Sequence, residues 1–546
     1  MNDQEKLKLT ERKLLNISRR CSLVELSKRK IVKNLDFYQE HEEYGNNLKS
    51  LPVCLRDKVL REVTSLKFDA ASGDSNLNFE RKRQDFSFLL SFGTKHIDLD
   101  GLLSFNPEDF IHEQLTRVVQ MIAADAPNVQ SLIINGRYAT AETDVLLGNI
   151  WLQHILDQAT LESICSLSKL KRLEISRTVE LKFPDLMQIC ETLQFLEHVD
   201  VKIVGWNELE FGNIDKFKRS FSRLKVFRFL IHGLQLSRQL VSLCIEHLPK
   251  LRLMHEWDLN DFDIPDVCEI LELPPQTSSL MNLGVISTTL PIHRAFPCVR
   301  HLTIDWPDIL DSMECSIDSL LHFSKLESLF LHSPIPSEKI FYQLLDHYGS
   351  NLKKLFIKSF QFKLRIGDIM NRCKKLESLA FLQLVSFSDQ SLKPTQTFTE
   401  LKELTWAIPI FVDSKDDQHL VHLLSSPKLE KVTITLDEDN NVDPLKEISN
   451  LIADGQILRE LKSLTIYFYH SRNGAFRIFP RYEAVNSLIT NACAFLPKLT
   501  RVVLAPFGWF CLGLRPSSHQ RAKIDYDFSE FGQPNLGKFL FACRTG

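Results

Sequence analysis

The residues of this 546-residue chain that could do chemistry are few, and their spacing argues for contact rather than catalysis. His255, His301 and Asp305 are the polar groups that recur at comparable places in neighbouring segments, and a hydrolase or transferase would need them to converge on one reacting atom. Histidines on a binding surface are more often contacts than proton carriers. There is no Walker loop, no GxGxxG, no nucleophile elbow and no HExxH, and the seventeen histidines show no zinc-ligand spacing. In LDEDNNVDP the residues Asp437, Asp439, Asn441 and Asp443 alternate as calcium ligands do. Val442, however, stands where the tight turn of such a loop needs Gly, and Ile448 where it needs Glu. A solvated acidic loop is the expectation. The sequence therefore predicts a non-catalytic protein with no cofactor and no metal, and turns attention to binding.

Binding residues need elements to hold them, and those elements repeat. An LxxLxL phrase returns about every 24 to 32 residues: LKRLEI from Leu170, LEHVDV from Leu196, LKVFRF from Leu224, then weaker copies at Leu251 and Leu280. Stronger copies begin at Val299, Leu326, Leu352, Leu376, Leu401, Leu429, Leu461 and Leu499. VQSLII from Val129 and the HIDL of His96 to Leu99 extend the series upstream, and VTSLKF from Val63 is a candidate for its start. Each phrase reads as a short strand whose first, fourth and sixth residues point into a core while the residues between them face the other way. The segment between phrases often has helical spacing. In PSEKIFYQLLDHYGSNLKKL the apolar Ile340, Leu344 and Leu345 share one face, and Gly349 sits where a helix would stop.

Period and pattern together resemble leucine-rich repeats. The resemblance implies an α/β leucine-rich-repeat solenoid, a horseshoe with a parallel sheet on its concave side and helices outside. A solenoid grows by adding units, so one long domain is the expectation despite the length. Residues 1–60 carry helical patterning without the phrase and form an N-terminal adaptor-binding or capping region. Residues 61–505 form the solenoid. Residues 506–546, rich in Gly, Pro and aromatics, form a C-terminal cap in which Trp509, Phe510 and Phe539 cover the last repeat.

A net charge of −3 offers no general case for nucleic acid or an anionic membrane. The opening residues lack an apolar signal region, no uncharged run is long enough to span a bilayer, and the twelve cysteines are scattered without CxxC pairs. An intracellular, cytoplasmic or nuclear, protein is expected. The basic triplets Lys28 to Lys30 and Arg81 to Arg83 read as solvated charge.

The N-terminal region carries the most specific signal. Ser22-Leu23-Val24-Glu25 has the form of a capping box, and the helix it starts places Leu23, Leu26, Ile31 and Leu35 in a narrow apolar stripe beside basic Lys28, Arg29, Lys30 and Lys33. SLVELSKRKI resembles the BC-box of elongin-C-binding proteins, and LPVCLRDKVL resembles the cullin-box, or a related Leu-Pro helix, that follows it in leucine-rich-repeat substrate receptors of cullin-RING ubiquitin ligases. The resemblance covers about forty residues and departs at Ser27, where the family usually has Cys. It implies that Leu23 inserts into elongin C with Ile31 behind it, while Leu51, Pro52, Leu55 and Val59 face elongin or the cullin. LPVCLRDKVLREV is also similar to the opening of an F-box, a weaker match because SLKFDAASGDSN follows. The competing expectation is a helical cap on the first repeat, belonging to a non-ligase scaffold or regulatory protein.

If the concave face binds a protein substrate, strand alternation names its residues. They are Leu253, His255 and Trp257, then His301, Thr303 and Asp305, then Ser328, Phe330 and His332, then Lys354, Phe356 and Lys358, with Tyr467 further along. Trp257, Phe330, Phe356 and Tyr467 are the large aromatics expected to be exposed there, beside charge, as binding hot spots often are.

Overall fold

The structure, a computed structural model, describes residues 23–65, 75–105, 111–136, 154–177, 179–205, 214–231, 234–256, 267–268, 272–274, 276–286, 289–306, 317–331, 335, 337–358, 362–382, 386–387, 398–407, 417–436, 443–468, 482–506 and 524–527. These fall into two compact units rather than the single domain expected. An N-terminal unit comprises Arg20–Asp263 with Pro274–Leu280, and a C-terminal unit comprises Ile264–Leu273 with Met281–Gly546. The division falls where the repeat phrase is weakest, around Leu251 and Leu280.

The N-terminal unit opens with helices at Leu23–Lys33, Leu35–Glu40, Glu42–Lys49, Val53–Ser65 and Ser75–Leu89. Its strands are β1 (His96–Asp98), β2 (Ser131–Gly136), β3 (His154–Ile155), β4 (Arg172–Arg177), β5 (Val179–Lys182), β6 (His198–Val204), β7 (Val226–Ile231) and β8 (Leu253–Glu256). They form one sheet in which β1, β2, β4, β6, β7 and β8 lie side by side in chain order, all parallel, with β5 also on β6 and β3 on β5. Of the VTSLKF phrase only Val63 to Ser65 are among the described residues. Val63 to Ser65 end the helix Val53–Ser65, because Val59, Leu60 and Val63 recur at three- and four-residue spacing and are buried together.

The C-terminal unit carries β9 (Val267–Cys268), β10 (Asn282–Ile286), β11 (His301–Asp305), β12 (Ser328–Leu331), β13 (Lys354–Ile357), β14 (Lys363–Leu364), β15 (Ser378–Leu382), β16 (Ser386–Phe387), β17 (Glu403–Ala407), β18 (Lys431–Leu436), β19 (Ser463–Phe468), β20 (Arg501–Pro506) and β21 (Ile524–Asp527). Ten of these run parallel from β9 to β20 in chain order, β14 and β16 pair with each other, and β21 closes the far edge antiparallel to β20. That edge would otherwise present a row of unpaired backbone groups. The cap residues Trp509, Phe510 and Phe539 lie outside the described residues, as do Asp437, Asp439 and Asn441.

Why the strands stack is visible residue by residue. Leu352, Leu355 and Ile357 of one phrase, and Leu170, Leu173 and Ile175 of another, are wholly buried. Each such side chain gives roughly 1.5–3 kcal/mol on burial, and no single repeat can bury its own three. Between strands the chain turns and forms short helices. In Glu338–Tyr348 the Ser337 hydroxyl caps the start by accepting from Ile340 N–H at 3.3 Å, and Leu344 and Leu345 face the core. Gly349 ends it, since a Cβ there would stand 2.5 Å from the Leu345 carbonyl oxygen and 2.8 Å from that of Arg372.

The second residue of each phrase adds a feature of its own. Arg300, Glu327, Lys353, Glu377, Lys402, Glu430 and Lys462 sit just before consecutive strands; Arg300 donates its backbone N–H to the Met281 carbonyl, and each of the others donates to the carbonyl of the residue before it in the row, all at 2.7–2.8 Å. Their charges alternate without exception. Lys353 meets Glu327 at 3.0 Å, Lys402 meets Glu377 at 2.7 Å and Lys462 meets Glu430 at 2.7 Å. The paired lysines hold the carboxyls of Glu327, Glu377 and Glu430 below their ordinary range.

Candidate functional site

Three places were candidates for function. At the N-terminus, Leu23 is 80% exposed and Leu26 50%, while Leu35 at the other end of the apolar stripe is buried. Lys28 anchors the helix by pairing with Glu62 at 2.8 Å on the helix Val53–Ser65. Ser27 and Pro52 are exposed, and Ile31, Leu51 and Leu55 are half-buried. Val59 is a correction: it is 3% exposed within this unit's own core, so it has no surface to offer an adaptor. Ser22 and the side chain of Glu25 lie outside the described residues.

On the strands of the C-terminal unit, alternation holds but exposure does not follow from it. His301, Ser328 and Lys354 are register neighbours, as are Thr303, Phe330 and Phe356. Phe330 is nevertheless buried at 5%, against the expectation of an exposed aromatic. Its ring centroid lies 5.6 Å from that of Phe356 at 32°, so the two aromatics cover each other along the sheet, and only Phe356 keeps part of its surface. Burial, then the nearby charge of Lys354, lowers the His301 pKa despite the opposing Glu327. His301 and Asp305 stand four residues apart on one strand, roughly 13 Å, too far to share a proton. His255 is on β8 of the other unit. Trp257 and His332, and the side chains of His255 and Tyr467, lie outside the described residues.

The third place is one that the sequence reading did not single out. Glu174 on β4, Asp200 on β6 and Arg228 on β7 are register neighbours on the sheet face opposite the core-facing Leu173, Val199 and Phe227. One step earlier in the register, Arg172 lies beside His198. Glu174 and Asp200 are 7% and 2% exposed, and a buried carboxylate is sustained only by opposite charge. Arg172 supplies it to Glu174 through Nε at 2.5 Å, and Arg228 Nη1 lies 3.6 Å from Asp200 Oδ2. Farther along β6, Lys202 forms a buried pair with Glu180 at 2.7 Å.

His198 lies beside these charges, with Nε2 3.6 Å from Glu174 Oε1. That nitrogen is buried and makes no hydrogen bond. Burial, then the positive charge of Arg172, holds the imidazole pKa down to about 4 although Glu174 pulls the other way, so the ring is neutral at pH 7. Ligand atoms of Glu174, His198 and Asp200 all lie within 4.8 Å of one another. The signal that could have found them was present: they occupy positions three and five of LKRLEI and LEHVDV, the places alternation turns away from the core.

Among the described residues, no helix is long and apolar enough to cross a membrane. No family model matches the chain, and no curated protein matches it. Among solved structures similar to it is the crystal structure of the TLR13-ssRNA13 complex, 13% identical with a TM-score of 0.26. The match covers 68% of this chain and 57% of that one, less than two thirds of its length.

Proposed function

We propose that this chain is an intracellular leucine-rich-repeat solenoid that works by binding protein, as the substrate-recognition subunit of a cullin-RING ubiquitin ligase. Elongin C is held through Leu23 and Ile31, the cullin lies toward Leu51, Pro52 and Leu55, and the protein substrate lies on the strand face carrying His301, Lys354 and Phe356. The chain itself is non-catalytic. The observation that carries the reading is the first helix, Leu23–Lys33: Leu23, Val24 and Leu26 at its start are 80%, 44% and 50% exposed, within the segment that resembles a BC-box, whereas Leu35, which opens the following helix, is buried. Helix-in-groove recognition needs an apolar anchor presented on an otherwise anchored helix, and Lys28 with Glu62 supplies the anchoring.

The test is a pull-down of the full chain beside Leu23→Asp, probing for elongin C and for the F-box adaptor, with circular dichroism on both proteins. An 80% exposed side chain contributes little to folding, so the variant stays within about 0.5 kcal/mol of the parent. Elongin C captured by the parent and lost from the folded variant supports the ligase receptor. Capture retained by the folded variant, or no adaptor on the parent, overturns it in favour of a scaffold.

A further inference from the structure

The charged face of β4, β6 and β7 holds more than an ion-pair network requires. Two carboxylates and two guanidiniums would balance without a histidine, yet His198 lies beside Glu174 and Asp200 with a buried Nε2 that neither donates nor accepts a hydrogen bond. A buried nitrogen left in that state loses the hydrogen bonds it had in water, and the arrangement is explained if a further group belongs beside it.

We propose that Glu174, His198 and Asp200 bind one divalent transition-metal ion of the zinc type through one imidazole nitrogen and two carboxylate oxygens. Such an ion holds nitrogen and oxygen ligands at about 2.0–2.2 Å, which sets ligand atoms about 3–4 Å apart. The His198 to Glu174 distance of 3.6 Å already meets that, and the 4.8 Å bound on the trio requires closure of about 1 Å, within reach of side-chain rotation. Both carboxylates come from parallel strands in fixed register, Glu174 opposite Asp200, and His198 is two residues from Asp200 on the same face, so the backbone holds all three. Softer metals would want thiolate, and calcium would want more oxygens than this set provides.

The arginines are the competitors. Arg172 occupies Glu174 Oε1, but its side chain is 48% exposed and can move into solvent, giving up an ion pair of modest strength. Two carboxylates neutralise a divalent ion, so Arg228, 3.6 Å from Asp200 Oδ2, opposes metal binding and limits its affinity. Three protein ligands leave at least one coordination position to water or to a donor from a partner.

The experiment uses the full chain, stripped of metal with a chelator, and titrates Zn2+ and Co2+ by calorimetry and visible absorption. One equivalent is expected to bind at micromolar concentration or tighter, and His198→Gln and Asp200→Asn each weaken that equivalent at least tenfold. Arg172→Ala is expected to tighten it, because the competing guanidinium is gone. If the arginines and the trio serve only as a structural network, Arg172→Ala lowers stability and leaves metal binding unchanged, which overturns the proposal. Absence of binding to the parent at ~100 µM, or an equivalent that survives in folded His198→Gln, overturns it as well, the latter by placing the metal on thiols elsewhere. Should a trio variant fail to fold, the Arg172→Ala arm still decides.

Discussion

Removing one oxygen from Tyr348 tests how the repeats of the C-terminal unit are joined behind the sheet. The Tyr348 hydroxyl donates to the Leu320 carbonyl and accepts from Phe323 N–H at 3.1 Å, both in the turn of the preceding repeat. The side chain is 4% exposed. Tyr348→Phe keeps the ring and its packing but strands a buried donor and removes a partner from a buried acceptor. At roughly 1–2 kcal/mol for each such loss, the lower part of the usual range because the ring stays in place, the substitution destabilises by about 2–4 kcal/mol. Stacked repeats need not unfold together, so the effect is best read locally, by hydrogen exchange of peptides spanning 317–326. A loss of that size accelerates exchange at Phe323 roughly 30- to 1,000-fold if opening is the limiting equilibrium. There is an alkaline counterpart. Burial pushes the Tyr348 phenol up from an ordinary 10.0 to about 12. Between those values the unfolded chain releases a proton that the folded chain keeps, so stability falls as pH rises through 10 toward 12, by about 3 kcal/mol for this residue. The difference between parent and Tyr348→Phe in that window isolates it from other tyrosines. Phe323 exchange unchanged within twofold, together with parallel alkaline curves, would refute the reasoning.

Two further outcomes follow from the repeat geometry. Gly349→Ala is expected to lower the stability of the C-terminal unit by about 1–3 kcal/mol, because the new Cβ meets two backbone oxygens that cannot rotate away; a urea midpoint equal to the parent's would show that the helix end shifts freely. The depressed carboxyls of Glu327, Glu377 and Glu430 contribute stability that is present above the ordinary carboxylate value of 4.5 and lost as pH falls through their folded values. Each is a solvent-facing pair, so the loss is a few tenths of a kcal/mol per pair and disappears in molar salt; an acid transition of the same depth at high and low salt would count against it.

The repeating core was legible because the phrase itself encodes burial. Leu326, Leu329 and Leu331 could be named as interior from spacing alone, and they are. The interruption between sheets was also written in the sequence, as the weak phrases near Leu251 and Leu280. The start of VTSLKF was not legible, since Val63 to Ser65 serve a helix when Val59 and Leu60 precede them at helical spacing. Phe330 shows a second limit: alternation gives the face, while burial on that face depends on which side chain the next repeat supplies, and Phe356 supplies a ring. The charged trio lay within reach of the alternation rule, but its character is a property of register. Only when LKRLEI and LEHVDV are set side by side do Glu174 and Asp200 become neighbours, with His198 beside them.

The alternating charges before the strands give the array a memory of parity. Arg300, Glu327, Lys353, Glu377, Lys402, Glu430 and Lys462 repeat in sign every second unit, although the strands themselves repeat every unit. Excising one repeat from the middle of the row would set glutamate beside glutamate or lysine beside lysine, whereas excising two would restore every pair. The heritable module of this unit, by that measure, is a doublet: a gene that lengthens or shortens it in pairs conserves the row, and one that changes it by a single repeat breaks it.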